Sequence, residues 1–338
     1  MRIIIPMAGM GKRMRPHTLT TPKPLLRLAG RPIVEHLIDE IVTTVKEPIE
    51  EIAFVIGDFG EQAERELLEC ARKRGAQGRI YYQEEPLGTA HAVLCAANSL
   101  KGPVIVGFAD TIFFSNFVIK PSQEAVIWTK KVAHPEAFGV VLTDEEGRIT
   151  GFAEKPKTFV SDQAIIGIYY FKDGKNLCKE LRYLIDNDIS KGGEYQLTDA
   201  LENMRRKGLV FYSETVDEWL DCGNKAATVD THTRLLEHKH IHQIAPTAQI
   251  TDSVIIPPCY IGDKACIRES VIGPCVSVGA RDDISQSRIS HSIIQADTRI
   301  ASKVMTGSMI GREANIAGLP QSLNLGDYSQ LSEGEDDV

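Results

Sequence analysis

The chain has 338 residues, of which 43% are hydrophobic and 25% charged, and its formal net charge is −8. These values are typical of a soluble globular protein with room for two domains. The acidic balance argues against non-specific binding of nucleic acid, and no stretch approaches the roughly 20 apolar residues of a membrane span. The start of the chain lacks a secretory pattern, and its seven cysteines are scattered without a C-x-x-C pair. We therefore expect free thiols in a reducing cytoplasm.

The opening of the chain differs in charge from the rest. Its first 34 residues contain seven Lys or Arg and no Asp or Glu. The apolar run over residues 2–6 predicts a buried strand, and a loop with Gly9 and Gly11 follows it. Glycines in such a loop let backbone N–H groups approach a ligand, and the cations around them favour an anionic one. This segment therefore predicts a polyphosphate site.

Two common phosphate-binding patterns do not fit this loop. A P-loop needs Ser or Thr after its lysine, whereas Arg13 follows Lys12. The dinucleotide fingerprint needs a glycine where Met14 stands. A basic surface loop without a ligand is the remaining alternative.

Strand and helix signals alternate through about the first 220 residues, which is typical of a layered α/β sheet. The apolar run over 104–108 predicts a buried strand that leads to Asp110. Ligands of open α/β sheets bind at the carboxyl ends of strands, so we expect the Gly9–Arg15 loop, Gln83 and Asp110 to meet there. Other patterns predict helices over 61–73, 174–186 and 196–207, a hairpin turn over 144–147, and a strand over 163–171.

The pattern changes after residue 243. Aliphatic residues recur at six-residue spacing with occasional slips of one residue, at Ile244, Ile250, Ile256, Ile261, Ile267, Ile272, Val278, Ile284, Ile294, Ile300, Ile310 and Ile316. This periodicity predicts a parallel β-helix whose aliphatic side chains point inward. The polar segment over 227–243 predicts a connecting helix. Its neighbouring histidines, at 232, 238, 240 and 242, are interpreted as a solvated helix end rather than a metal site.

The chain resembles the sugar-1-phosphate nucleotidylyltransferases, or nucleotide-sugar pyrophosphorylases. The resemblance rests on G-M-G-K-R-M-R-P from Gly9, on P-K-P around Lys23, on L-G-T-A-H-A from Leu87, on E-K-P from Glu154, and on W-L-D-C-G from Trp219. It implies an α/β fold with a Rossmann-like mixed sheet in a nucleotidyltransferase domain over 1–226, followed by a short left-handed β-helix over 244–318. The last segment, 319–338, is expected to be a tail that is disordered at its acidic end.

The resemblance also implies roles for individual residues. Arg13, Lys23 and Lys155 would be catalytic cations; Gly9, Gly11, Gln83 and Gly88 would bind the nucleotide; Gly139, Glu154, Lys155 and Glu194 would bind the sugar phosphate; and Asp110 and Asp221 would hold Mg²⁺. Relatives often have G-D-N where this chain has Ala109-Asp110-Thr111. The change leaves the metal-binding carboxylate in place but puts nearby sugar contacts in doubt.

The choice of base depends on Gln83. Its amide can accept from N3–H and donate to O4 of thymine or uracil, but the same pair also fits N1–H and O6 of guanine. The L-G-T-A-H-A stretch resembles pyrimidine-using members of the family, which favours dTTP or UTP.

The resulting hypothesis is a cytoplasmic enzyme that transfers a nucleotidyl group from dTTP to glucose 1-phosphate. The transfer would be a metal-assisted in-line attack on the α-phosphorus, and pyrophosphate would leave. The alternatives are use of UTP or of several pyrimidine triphosphates, a second acyltransferase activity in the β-helix, and a nucleotide-sugar sensor without turnover. The presence of all the ionic residues favours an active enzyme. We expect a homo-oligomer formed through the β-helix, with no nucleic-acid or membrane partner.

Overall fold

The computed structural model describes residues 1–116 and 118–318. The chain forms two compact units, one over Met1–Ile241 and one that begins at His242. The predicted tail over 319–338 lies outside the described residues. The finer boundaries at 226 and 243 remain a prediction.

Helices and strands alternate in the first unit. The helices are α1 (Ile33–Val45), α2 (Gly60–Arg72), α3 (Thr89–Cys95), α4 (Gly174–Asp186), α5 (Leu197–Arg206) and α6 (Lys225–His238). The strands are β1 (Arg2–Pro6), β2 (Arg27–Leu28), β3 (Arg31–Pro32), β4 (Glu51–Ile56), β5 (Gln77–Tyr82), β6 (Val104–Gly107), β7 (Thr111–Phe114), β8 (Ala125–Lys131), β9 (Gly139–Thr143), β10 (Ile149–Glu154), β11 (Gln163–Phe171), β12 (Phe211–Thr215) and β13 (Glu218–Asp221). Short 3₁₀ turns cover Lys12–Met14, His17–Leu19, Lys23–Leu25, Ala97–Ser99 and Pro135–Ala137.

Strand β1 lies inside the main sheet. The strand order is β10-β9-β11-β6-β1-β4-β5, with β8 beside β11 and β12 beside β8. β1 runs parallel to β4 and β6, and β4 runs parallel to β5, whereas β11 is antiparallel to β6, β8 and β9. The predicted Rossmann-like mixed sheet is therefore confirmed, and the carboxyl ends of β1, β4, β5 and β6 share one edge.

The isoleucine run of β1 explains how this sheet is buried. Ile3 and Ile5 belong to a core cluster with residues of α1 and α2, whereas Ile4 belongs to a second cluster with residues of α3, α4 and α5. Successive strand side chains point to opposite faces. A continuous apolar run is therefore the pattern expected of a strand that is covered by helices on both sides.

The segment around α6 differs from its prediction. The expected helix over 227–243 ends at His238, because His240 has a φ of 49° and His242 begins a strand. The interpretation of the histidines as solvated is wrong for His232, which is fully buried. None of the helices within residues 1–116 and 118–318 is long and apolar enough to cross a membrane.

The second unit is a left-handed β-helix of short parallel strands, as predicted. Its strands are β14 (His242–Ile244), β15 (Gln249–Thr251), β16 (Val254–Ile255), β17 (Cys259–Ile261), β18 (Cys266–Arg268), β19 (Val271–Ile272), β20 (Val276–Val278), β21 (Asp283–Ser285), β22 (Arg288–Ile289), β23 (Ser292–Ile294), β24 (Arg299–Ala301), β25 (Val304–Met305), β26 (Met309–Ile310) and β27 (Asn315–Ala317). They stack in three sheets, which begin with β14, β15 and β16.

The coil length accounts for the slips in the hexapeptide pattern. Ile244 pairs with Ile261, and Ile284 pairs with Ile300, so one turn is shorter than three full hexapeptides. In the first coil, two successive inward residues, Ile250 and Ile255, are five residues apart instead of six. Ile255 pairs with Ile272 and packs on the core. The prediction that Ile256 points inward is wrong, since its side chain is 37% exposed.

Asp282 joins two coils of this β-helix. Its Oδ2 accepts from the Gly279 N–H at 2.6 Å and its Oδ1 accepts from the Thr298 N–H at 2.8 Å. The side chain is fully buried, and burial raises the pKa of Asp282 to about 7. The stability of this unit should fall as the pH rises from 3.8 to about 7, because the folded state holds a proton that the unfolded state releases.

Replacing this carboxylate is expected to loosen the β-helix. Asp282→Ala leaves two buried donors without an acceptor, at about 1–3 kcal/mol each. We expect the free energy of unfolding of the unit to fall by about 2–5 kcal/mol. Hydrogen exchange over 276–300 measures the effect, with the exposed Asp263→Ala as control. Unchanged protection at Thr298 would contradict this role.

Candidate active site

A cavity of about 460 Å³ opens at the shared carboxyl edge of the sheet. Its walls come from the loops after β1, β5 and β6, as expected for a ligand site of an open α/β sheet. The predicted site residues that line it are Gly9, Gly11, Arg13, Lys23, Gln83, Gly88, Asp110 and Glu194. The predicted residues Gly139, Glu154, Lys155 and Asp221 are not among its lining residues.

Lys23 is a buried cation in this cavity. Only 8% of its surface is exposed, and its Nζ lies 3.1 Å from Asp110 Oδ2. The prolines on either side restrict the backbone, and a Cβ on Gly11 would lie 3.0 Å from the Cβ of Lys23. Local packing therefore holds this ammonium group against the Asp110 carboxylate.

Asp221 lies next to Asp110 although the two are distant in sequence. In the β7–β13 pair Asp221 is opposite Thr111, and the Cys222 N–H donates to the Asp110 carbonyl oxygen at 3.0 Å. Burial, and after it the Asp110 carboxylate, raises the pKa of Asp221. A Cβ on Gly223 would lie 2.8 Å from Asp221 Oδ2, which gives the glycine of W-L-D-C-G a physical reason.

The two carboxylates fit a hard divalent cation. Carboxylate oxygens are preferred ligands of Mg²⁺, which commonly takes one or two of them together with phosphates and water. Within residues 1–116 and 118–318, no group of three or more His, Cys, Asp or Glu side chains could hold a metal. Phosphate oxygens and water would therefore have to supply the other ligands.

Arg13 extends from the 3₁₀ turn Lys12–Met14, which begins after Gly11 in the left-handed conformation, with a φ of 56°. Its side chain is exposed and lines the cavity. The positive charge of Arg13 also acts on Asp221. It favours a lower pKa of that carboxyl group, but it is the smallest of the effects on this pKa. The loop after β1 thus places a second, exposed cation at the cavity that contains the buried Lys23.

Gly9 gives a clean test of where a ligand runs. A Cβ at Gly9 would meet no heavy atom of the protein within 4 Å, so Gly9→Ala should change stability by less than about 0.5 kcal/mol. A triphosphate that lies against this backbone would meet the new methyl group. We expect KM for the nucleotide to rise about tenfold while KM for the sugar phosphate stays constant. Steady-state kinetics and thermal melting measure both; an unchanged nucleotide KM would place the triphosphate elsewhere.

Three of the residues that were predicted to bind the sugar phosphate lie at the open end of the β9–β10 hairpin. Gly139 pairs with Glu154, and a Cβ on Gly139 would lie 2.9 Å from Glu154 Oε2. The same oxygen accepts from Thr198 Oγ1 at 3.1 Å. Lys155 follows with a φ of 43°, and its N–H donates to the Phe138 carbonyl oxygen. The structure therefore brings Gly139, Glu154 and Lys155 together.

Tyr169 packs edge-on against Phe108, which lines the cavity. Its side chain is buried, and burial raises its pKa, with further contributions from the carboxylates of Glu154 and Asp110. Tyr169 is therefore within electrostatic reach of both carboxylates. Sequence reasoning missed it because its neighbours in β11 are mostly apolar, so the tyrosine was taken as part of the core. Thr198 was missed as well, although it lies only four residues after the predicted Glu194.

Gly88 joins the part of the cavity that Gln83 lines to the segment around Glu194. It has a φ of 102°, and a Cβ there would lie 2.6 Å from the Tyr195 carbonyl oxygen. Tyr195 N–H donates to the Leu87 carbonyl oxygen at 2.8 Å, and the Ala90 N–H donates to the Tyr195 carbonyl oxygen at 2.9 Å. Only glycine allows this close approach of two backbones.

The side-chain amide of Gln83 is hydrogen-bonded to two neighbouring groups of the protein. Its Nε2 lies 3.1 Å from the Gly88 carbonyl oxygen and 3.2 Å from His91 Nδ1. The sequence predicted an amide that both accepts from and donates to the base, whereas here both donor positions face protein atoms. His91 belongs to L-G-T-A-H-A, but the motif gave no indication of this contact.

Known proteins were compared with the chain by sequence. The family described as "Nucleotidyl transferase" matches residues 2–238. A glucose-1-phosphate thymidylyltransferase of Streptomyces antibioticus is 28% identical and covers 98% of this chain and 99% of its own length. The bifunctional protein GlmU of Methanococcus maripaludis strain C7 is 33% identical over an aligned region that covers 76% of this chain and 60% of GlmU. A mannose-1-phosphate guanylyltransferase catalytic subunit beta of Drosophila melanogaster is 36% identical over 50% of this chain and 48% of its own length.

Solved structures show the same fold. A nucleoside-diphosphate-sugar pyrophosphorylase from Vibrio cholerae RC9 aligns with a TM-score of 0.59 at 20% identity, over 68% of this chain and 99% of its own. A UDP-glucose pyrophosphorylase complexed with UDP-glucose aligns with a TM-score of 0.57 at 22% identity, over 70% of this chain and 98% of its own. Because the family match covers most of the chain, and with it the sheet and every residue of the cavity, this chain belongs to the nucleotidyl transferase family.

Proposed function

We propose that the chain transfers a nucleotidyl group from dTTP to glucose 1-phosphate, giving dTDP-glucose and pyrophosphate. The observation that carries the proposal is the contact of the buried Lys23 with Asp110, beside Asp221, in a cavity that the glycine loop also lines. The thymidylyltransferase relative, which aligns over 98% of this chain, supports the choice of dTTP and glucose 1-phosphate.

The proposed reaction needs position and charge more than acid–base chemistry. A bond forms between an oxygen of the sugar phosphate and the α-phosphorus, and the bond from the α-phosphorus to the pyrophosphate oxygen breaks. The attacking oxygen is already ionised, so no general base is required. The protein must bring two anions together in line and stabilise the charge on the leaving group.

The cations of the site have separate parts in this proposal. Lys23 lies between the loop after β1 and Asp110, where it would neutralise phosphate charge. Arg13 would stabilise the departing pyrophosphate from the rim of the cavity, and Lys155 would hold the sugar phosphate. Glu154 and Glu194 would accept hydrogen bonds from the sugar hydroxyl groups. Gly139, which has no side chain, would leave room for the sugar.

A divalent cation, Mg²⁺ in this proposal, would be held by Asp110 and Asp221 and would offset charge on the phosphate oxygens when bound. The Asp110 carboxylate contributes to the raised pKa of Asp221, and a cation held between the two would offset this repulsion. We also propose a cytoplasmic homo-oligomer that assembles through the β-helix; light scattering tests the oligomer, and a monomer at micromolar concentration would contradict it.

One assay tests the proposed function. The full chain is incubated with Mg²⁺, one of dTTP, UTP, GTP, CTP or ATP, and one of glucose, mannose or N-acetylglucosamine 1-phosphate, and pyrophosphate release is measured. We expect the highest kcat/KM with dTTP and glucose 1-phosphate. A preference for UTP would support the UTP-dependent alternative, and absence of turnover with every pair would favour a non-catalytic sensor.

A further inference from the structure

The orientation of the Gln83 amide follows from its neighbours. Its Nε2 lies 3.1 Å from the Gly88 carbonyl oxygen. A carbonyl oxygen can only accept, so the amide group that faces it must be the NH₂ and not the oxygen. The orientation of the amide group is therefore assigned from the donor and acceptor chemistry of its neighbours.

The tautomer of His91 follows from its contact with the same amide group. The second Nε2 hydrogen of Gln83 faces His91 Nδ1 at 3.2 Å, and Nδ1 accepts it only when it carries no proton. The ring proton then lies on Nε2, which is 4.0 Å from Cys95 Sγ. Both amide hydrogens of Gln83 are thus donated within the protein. Its Oε1 has no hydrogen-bond donor among the residues that the structure describes.

We propose that His91 is a positioning residue that selects the base. By taking one amide hydrogen, it leaves Gln83 to contact the base through Oε1 alone, as an acceptor. The inference rests on the proposed function, and it changes the expected contact pattern, since an amide with both hydrogens engaged cannot also donate to a base carbonyl.

An acceptor at this position selects a ring N–H. Thymine and uracil present N3–H beside a ring carbonyl, and guanine presents the same chemistry as N1–H beside O6. The Gly88 N–H, just before the first residue of α3, would donate to that carbonyl. Cytosine N3 and adenine N1 carry lone pairs that would face Oε1, and an unpaired polar group of this kind is strongly rejected.

The test compares three variants with the parent chain. His91→Ala removes the acceptor. His91→Asn restores one, because its Oδ1 occupies nearly the place of Nδ1. Cys95→Ala changes the neighbour of the other ring nitrogen and leaves the Nδ1 contact intact. For each protein, kcat and KM are measured for dTTP, UTP, GTP, CTP and ATP, and KM is measured for glucose 1-phosphate.

In the parent, we expect kcat/KM for dTTP or UTP to exceed that for CTP by more than about 100-fold. His91→Ala should lower this ratio about tenfold through the KM of the nucleotide, with kcat and KM for glucose 1-phosphate unchanged. His91→Asn should restore the ratio, and Cys95→Ala should leave it unchanged. A residue that served only to pack α3 would lower stability without changing the ratio.

Several outcomes separate this inference from the function on which it rests. An active His91→Ala with the parent ratio would overturn it, and so would a parent that prefers CTP or ATP. A parent that prefers GTP would support the ring N–H reading and identify the base as guanine. If His91→Ala fails to fold, 3-methyl-UTP replaces it as the probe, and use of this analogue as readily as UTP by the parent overturns the inference. No turnover by the parent with any triphosphate would overturn the proposed function, and the inference with it.

Discussion

Replacing Lys23 by methionine is expected to lower kcat/KM for nucleotidyl transfer by about 100- to 1,000-fold. The substitution keeps most of the buried stem and removes only the ammonium group, which lies 3.1 Å from Asp110 Oδ2. Loss of one preorganised charge at a transferring phosphate has effects of this size because the site is partly shielded from water. Pyrophosphate release at varied dTTP measures it.

Its control is Lys179→Met, on the exposed face of α4. This variant removes the same charge from the same unit at a residue that does not line the cavity, so its kinetics should match those of the parent. Thermal melting separates a folding defect from a loss of charge in Lys23→Met. Near-normal turnover in a folded Lys23→Met protein would remove Lys23 from the mechanism.

Gly88→Ala is expected to damage both substrate sites together. A residue other than glycine at a φ of 102° carries backbone strain of about 1–3 kcal/mol. The added Cβ would also lie 2.6 Å from the Tyr195 carbonyl oxygen, and overpacking of this kind costs about 1–3 kcal/mol more. Relief requires the Glu194–Gln196 segment to move. A shift of that size should lower kcat/KM by about 100-fold or more, with a higher KM for nucleotide and for sugar phosphate.

The chain offers a matched control at Gly208. Its φ is 97°, but a Cβ there would meet nothing within 4 Å, so Gly208→Ala carries the backbone strain without the collision. We expect it to lose stability and keep its KM values. Equal kinetic effects in the two variants would show that the approach of Tyr195 to Gly88 has no part in substrate binding.

Local patterns allowed much of the fold to be predicted. The isoleucines of β1 alternate between two cores, which is why an unbroken apolar run correctly indicated a buried strand. The hairpin turn after β9 was visible because Asp144 Oδ1 accepts from two backbone N–H groups of the turn, those of Glu146 and Arg148, and aspartate favours such turns for this reason. Strand β11, over Gln163–Phe171, has the predicted bounds.

Long-range pairing is what the sequence could not reveal. The resemblance implied that Asp110 and Asp221 share a metal, but nothing in the residues near either one shows that β7 and β13 pair and place the two carboxylates side by side. The inward position of Ile255 was missed because a hexapeptide template assumes equal sides, whereas the backbone closes the coil with fewer residues. The role proposed for His91 depends on which atom of a neighbouring side chain it faces, and that is a matter of tertiary geometry.

Asp110, Asp221 and the loop after β1 are proposed to surround one metal-bound triphosphate. Crystals grown with dTTP and Mn²⁺ test this arrangement directly, because the anomalous signal of Mn²⁺ locates the cation independently of the phosphates. We predict a peak bound by both Asp110 and Asp221, with the triphosphate along the Gly9–Arg13 loop and within reach of Lys23. A cation bound by neither aspartate, or phosphates that lie away from Lys23 and Arg13, would contradict the account.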